Sequence, residues 1–317
     1  MKPVAPRAEA AAPLARLGAC GVHGAAACGH PLAAGAGVEV FRAGGNAVDA
    51  AVAAAGALCV LLPEACGLGG DALFMVRDGS GGVEAYNGNG VAPARFGGVV
   101  PADGAGTATV PGLVAALADA HARHGSLPWH DVLAPAIRLA HSGFPAGESL
   151  CQALERQRAR LDRGAAGWDL PHAAVAPGGV VRQPALGQLL ERIAAEGQAA
   201  FYAGEMAAAI EHAARREDGA LSARDLLAHR TVRRAPLSRR FRDATVYAQP
   251  PSSQAILALM VLGELDRLQT PVRAERVHVA VEAIEAAFAH RDEITSADAE
   301  RRLLATPYLS WRGVVKW

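Results

Sequence analysis

Two short stretches of the chain hold residues whose types and spacing suit chemistry. Gly67-Leu68-Gly69-Gly70-Asp71-Ala72 satisfies the G-x-G-x-x-G/A spacing of a loop that cradles a pyrophosphate, and Pro250-Pro251-Ser252-Ser253 sets two hydroxyls side by side. The phosphate chemistry fails on its surroundings. A dinucleotide loop follows a strand and opens a helix, so that the helix N-terminus faces the anion. Here a helical pattern precedes the glycines, strand-like residues follow them, and Asp71 would repel a phosphate. What remains for the glycines is packing, since a backbone without Cβ lets a helix end meet a sheet at close range; Asp71 is then a turn-stabilising carboxylate. For Ser252 and Ser253 the expected role is to cap the helix that follows. A Ser/His/Asp triad built on Ser253 and one of the 11 histidines is the rival, but no G-x-S-x-G elbow supports it. The five cysteines, Cys20, Cys28, Cys59, Cys66 and Cys151, form no C-x-x-C pair and no zinc-spaced cluster with histidine. No disulfide framework, metal or other cofactor is therefore expected, and reduced thiols fit a cytoplasmic protein.

The elements that must position these stretches are legible from caps and periodicity. Asn46, with Asp49 three residues on, opens a helix whose Ala-rich body continues to Pro63; almost every face is small or apolar, so this helix is central. Ala72–Arg77 and Val83–Asn87 read as two strands turned by Asp78-Gly79-Ser80-Gly81-Gly82. Helices are expected between Pro111 and Gly125, over 129–143 despite Pro135, over Gln183–Glu196 and Gly204–Arg215, after a Ser222/Asp225 cap, and over Gln254–Leu265 and Glu275–His290. The polar, Arg-rich segment from Glu148 to Val181 reads as an irregular surface excursion, and Arg240–Gln249 as one strand. No repeat or low-complexity linker divides the chain, so one domain over 22–317 is expected after a disordered N-terminal segment, 1–21. Thirty-one basic and 31 acidic residues cancel, which removes the field that would attract nucleic acid or an anionic membrane. The strongest apolar run, Ala50–Leu62, falls short of the roughly 20 residues that span a bilayer, and the N-terminus has no secretory pattern.

The stretch GGNAVDAAVAAAGALCVLLPEACGLGGDALFMV, 44–76, resembles the signature region of the gamma-glutamyltranspeptidase family, in which a GGNAVDAA helix is followed by a G-I/L-G-G turn and a hairpin. Further blocks fall in the family's order, among them GHPLAAGAGVEVFRAGG (29–45), TVPGLVAALADAHARHGSLPW (109–129), RQPALGQLLERIAAEGQAAFYAGE (182–205), YAQPPSSQAIL (247–257) and EAIEAAFAHRD (282–292). The resemblance runs from about Val22 to Asp292. It implies an α+β fold, the αββα four-layer sandwich of the N-terminal-nucleophile hydrolases, here its large-subunit part. It also implies an activity tied to glutathione metabolism: a threonine freed by self-cleavage attacks a gamma-glutamyl amide, and water or an amino acid takes the acyl group. A threonine suits this because its own released α-amine can act as base.

Two departures qualify the resemblance. The family's nucleophile opens a small subunit at a Thr-Thr-His-like site, whereas Thr107, Thr109, Thr231, Thr245, Thr270, Thr295 and Thr306 are neither doubled nor set in that context. No catalytic nucleophile is thus expected within this chain, and the implied partner is a threonine-bearing small subunit acting on a small-molecule amide. A separate partner, a truncated or frameshifted product and an inactive remnant with a structural or binding role are the competing explanations. The tail, which resembles the family only to about Tyr308, favours truncation. The second departure concerns substrate. Where the family carries an Arg that clamps the glutamyl α-carboxylate, this chain reads Tyr86-Asn87-Gly88-Asn89-Gly90-Val91-Ala92-Pro93, with Asn89 at the Arg position. Asn is neutral and short and cannot replace a bidentate ionic clamp. Arg95 lies nearby and substitutes only if the loop re-registers. The pattern resembles divergent members that hydrolyse amides of other small acids, such as oxamate; the alternative makes Asn89 a plain turn residue.

Overall fold

A computed structural model describes residues 20–164, 170, 175–268, 273–294 and 303–305. Nearly all of the segment expected to be disordered, and the tail beyond Ala305, lie outside the described residues. The helical half begins with α1 (Pro31–Arg42) and α2 (Ala47–Leu61). Asn46 and Asp49 form a reciprocal capping box at the start of α2, as the sequence predicts. Ten of the 15 residues of α2 are buried, because small side chains on every face admit neighbours all round. Helix α3 (Leu113–His124) and α4 (Trp129–Ser142) pack against it, and Gly56 lets α4 approach through Leu133 and Ala136. Pro135 is buried inside α4 and does not end it.

Strand β1 (Ala72–Arg77) pairs antiparallel with β2 (Val83–Gly88) in the register Ala72 to Gly88. A short strand that periodicity did not indicate completes this sheet on the other side of β2; the two-residue strands β3 (Phe144–Pro145) and β4 (Val180–Val181) precede it in the chain, making it β5 (Val232–Arg234). Helix α3 lies against β1 and β2. Two sequence expectations are corrected. The polar excursion is in its first half a 17-residue helix, α5 (Glu148–Gly164): Leu150 and Leu154, one turn apart, are buried, and the arginines occupy the remaining faces. The single strand over Arg240–Gln249 is part of a hairpin, β6 (Leu237–Phe241) and β7 (Ala244–Ala248), turned at Arg242, whose φ is 55°.

Between these lie α6 (Pro184–Glu196), α7 (Ala199–Tyr202), α8 (Gly204–Arg216) and α9 (Ala223–Ala228), the last opened by the expected Ser222/Asp225 capping box. A second core cluster joins α10 (Ala255–Leu268) to the last turn of α11 (Arg273–Phe288) and to residues after it, around Ile256, Leu257, Met260, Ala287 and Ile294. Helix α10 covers the β6–β7 hairpin. Among the described residues no helix is long and apolar enough to cross a membrane.

Candidate active site

The glycine turn sits between the end of α2 and β1, and its contacts answer what the glycines are for. Gly70 N–H donates to Gly67 O at 3.0 Å, and Gly70 O accepts from the amides of Gly112 and Leu113 at 3.0 and 2.9 Å. Those amides belong to the N-terminus of α3, the group of donors a helix cannot satisfy itself. A carbonyl of the turn occupies them, so they face no anion. Close backbone packing is concentrated on partner glycines. A Cβ on Gly90 would stand 1.7 Å from Val110 O, one on Gly112 1.8 Å from Gly88 O, and one on Gly88 2.5 Å from the Ala116 methyl. By contrast, a Cβ on Gly67 or Gly69 would meet nothing within 4 Å. The outer surface of the turn is open.

Three side chains order the loop after β2, and one of them ties it to this turn. Asp71 Oδ1 accepts from Gly90 N–H at 2.9 Å, so the carboxylate expected to stabilise its own turn instead bridges to the loop after β2. Asn87 Oδ1 accepts from Asn89 N–H at 2.8 Å, an Asx turn that presents the Asn89 side chain. The Asn89 amide in turn donates to Ser252 Oγ at 3.2 Å, across 163 residues of sequence. The two serines expected to cap α10 therefore divide the work: Ser253 Oγ accepts from Ala255 N–H at 3.2 Å, and Ser252 faces Asn89. Just before them, the buried Gln249 amide donates to the carbonyls of Phe74 and Tyr86, tying the end of β7 to β1 and β2. The structure thus brings Gly67–Asp71, Asn89 and Ser252 together. It places Arg95 elsewhere. Its guanidinium is 3.9 Å from Glu211 on α8, and the neighbouring Ala94 N–H donates to Asp225 Oδ1 on α9 at 3.0 Å.

Behind the turn lies a buried aromatic pair that sequence reasoning missed. Tyr202 OH accepts from Ala115 N–H at 3.1 Å and donates to Pro111 O at 2.9 Å, so it pins the first turn of α3 from α7. Burial pushes its phenol up to about 12. His229 stacks on Tyr202 with centroids 5.6 Å apart at 21°. A Cβ on Gly112 would lie 3.3 Å from His229 Cε1, which sets the imidazole against that glycine. The ring is buried, its Nε2 has no hydrogen-bond partner, and desolvation moves its pKa below the usual histidine value of 6.5, against the pull of Asp71 and Asp119. Neither residue carries a local sequence signal: Tyr202 acts on Ala115 and Pro111, 87 and 91 positions away, and His229 on Tyr202 and Gly112, far outside any local pattern. Among the described residues no cluster of histidine, cysteine and acidic side chains is arranged to hold a metal.

A family profile described as Gamma-glutamyltranspeptidase matches residues 33–312. The glutathione hydrolase-like YwrD proenzyme of Bacillus subtilis is 33% identical over 286 residues, covering 85% of this chain and 54% of its own length. The oxamate amidohydrolase proenzyme of Klebsiella pneumoniae is 34% identical over 310 residues, 90% of this chain and 58% of its own. The chain thus spans about half the length of the curated relatives it matches. The crystal structure of Helicobacter pylori gamma-glutamyltranspeptidase superposes with a TM-score of 0.84 at 25% identity, covering 90% of each chain. The α+β fold expected from the sequence is shared with these structures.

Proposed function

The chain belongs to the gamma-glutamyltranspeptidase family, and from that premise we propose that it forms the donor-binding part of an amide hydrolase or acyltransferase whose threonine nucleophile is supplied by a second, small-subunit-like segment. The acyl donor we assign is a small amide rather than a gamma-glutamyl compound. One observation carries this reading: the group that the Asn87–Gly90 loop presents beside the open glycine turn is the neutral Asn89 amide, braced by Ser252, while Arg95 is engaged by Glu211. A neutral amide can donate to or accept from one oxygen or nitrogen of a donor. It supplies neither the charge nor the paired N–H geometry that holds the α-carboxylate of a glutamyl group, three carbons away from the reacting carbonyl; the carboxylate of oxamate adjoins that carbonyl and does not call on this position. The name of the Klebsiella relative, an oxamate amidohydrolase, is compatible with a donor of this size.

The chemistry would run as follows. The threonine hydroxyl adds to the amide carbon, the C–N bond breaks and the nitrogen leaves with a proton, giving an acyl-enzyme ester; water or an amine then takes the acyl group. This chain's share is to hold and orient the donor, which is worth most where the loops are rigid. The test is made on the chain paired with a threonine-bearing small subunit, comparing kcat/KM for oxamate with that for a gamma-glutamyl anilide. The paired protein is expected to favour oxamate, and Asn89→Arg is expected to shift the ratio toward the glutamyl donor by about tenfold or more. A preference for the glutamyl donor that Asn89→Arg leaves unchanged sinks the reading. The unpaired chain is expected to hydrolyse neither.

A further inference from the structure

We propose that His229 is a positioning residue that makes the bridge between Asp71 and the Asn89 loop sensitive to acid: neutral, the imidazole supports the bridge, and protonated, it breaks it. The proposal rests on the reading of that loop as the donor site, and its geometry is independent of the donor's identity.

Four contacts link the ring to the loop. His229 lies flat on Tyr202, whose hydroxyl holds Pro111 O and Ala115 N–H on either side of Gly112. It also lies against Gly112 itself. The amides of Gly112 and Leu113 hold Gly70 O. Gly70 is followed by Asp71, and Asp71 Oδ1 holds Gly90 N–H, the residue after Asn89. The ring meets this path by contact at Gly112 and through the Tyr202 side chain, and from Gly112 the amide bonds to Gly70 O carry it to the residue before Asp71.

The ring's surroundings give protonation a direction. The charged and titratable groups that act on it are Asp71 from the glycine turn, Asp119 from α3, Tyr202 from α7 and the adjacent Arg230. Nε2 is buried and without an acceptor; in the imidazolium both ring nitrogens carry a proton, so Nε2–H is then a buried, unpaired donor on a cation, which is costly. The two carboxylates are the groups able to relieve that cost. Asp119 stands on the body of α3, whereas Asp71 lies in an exposed turn, and in this proposal Asp71 is the carboxylate that moves. Drawing Asp71 toward the ring removes the acceptor from Gly90. The sign follows from the lowered value: the bridge is complete above pH 6.5 and is lost as pH falls through the lower folded value.

The sequence permits a selective readout. Its only asparagines are Asn46, Asn87 and Asn89, and only the last two precede glycine. Labelling Asn carbonyl carbons with 13C and Gly nitrogens with 15N therefore isolates the Gly88 and Gly90 amides. In the full chain, the Gly90 resonance is expected to move with a single midpoint below pH 6.5 that coincides with the titration of the His229 ring, while its protection from exchange falls about tenfold or more. In His229→Phe, which retains a stacking ring without a titrating one, this transition is expected to vanish. A Gly90 amide that ignores the His229 titration in the wild-type protein overturns the proposal even if the variant fails to fold, as does an unchanged transition in a folded variant. Because no substrate enters the measurement, failure of the donor assignment leaves this result standing, and the converse holds as well.

Discussion

At the scale of single residues, the glycine cluster separates into two kinds of position. Gly90 and Gly112 meet backbone carbonyls, which cannot step aside as a side chain can, whereas Gly67 and Gly69 face open space. Gly90→Ala and Gly112→Ala are therefore expected to lose about 2–3 kcal/mol in urea unfolding, by overpacking against a fixed backbone. Gly67→Ala and Gly69→Ala should stay within about 0.5 kcal/mol. Equal losses at all four would mean that the turn itself, and not its close approach to 88–90 and 110–112, requires glycine. The G-x-G-x-x-A spacing was visible from sequence, yet the residues under steric demand are mostly outside it. Spacing reports where glycines are, and only the fold reports what stands opposite them.

At the scale of elements, the start of α2 shows how a cap becomes a tertiary joint. Asp49 is fully buried and accepts from Asn46 N–H at 2.9 Å, Ser126 N–H at 3.0 Å, Ser126 Oγ at 2.9 Å and Leu127 N–H at 3.3 Å. It therefore fastens the α3–α4 connection to the N-terminus of α2. Burial alone would raise its pKa, but the hydrogen bonds from Asn46, Ser126 and Leu127 outweigh burial and hold it below the ordinary aspartate value of 3.8. The carboxylate's contribution to stability is thus present above pH 3.8 and is lost as pH falls through its lower folded value. Asp49→Ala is expected to cost about 3 kcal/mol at pH 7, because several buried donors lose their acceptor. The gap between the urea midpoints of wild type and variant should narrow progressively as pH falls below 3.8; a gap that does not change with pH down to acid unfolding would assign the loss to packing instead of charge. Helix α5 offers the matching test of a pattern hidden by polar composition. Leu154→Ala should cost about 2–4 kcal/mol if its apolar stripe anchors the helix, and a loss near zero would return that segment to a surface role.

At the scale of the molecule, two apolar faces stand exposed among the described residues. Leu73 and Met75 are 39% and 41% exposed on β1, whose free edge bounds the three-stranded sheet. On α11, Val277, Val281, Ile284 and Phe288 recur at helical spacing and are 46–66% exposed. An edge strand with apolar side chains and a contiguous apolar stripe favour association. The isolated chain is expected to sediment with an average mass that rises with concentration, and Leu73→Lys combined with Met75→Lys to reduce that rise. A single monomeric species at all concentrations, for wild type and variant alike, would show that these faces are tolerated as they stand.

The sequence by itself determined the family, the α+β class, most of the helices, the first hairpin and the two capping boxes, because these rest on local periodicity, cap chemistry and ordered motif blocks. It also singled out Asn89 as a departure from the family at the position of an Arg. Tertiary structure alone decided that Asn89 turns to Ser252, that Asp71 reaches Gly90, that Arg95 is engaged by Glu211, and that His229 lies on Tyr202 behind Gly112. The partners in these contacts, apart from Asp71 and Gly90, are separated by between 27 and 163 positions, and those two by 19. A side chain's partner across such separations is fixed by how helices and sheets pack, and no spacing along the chain encodes that.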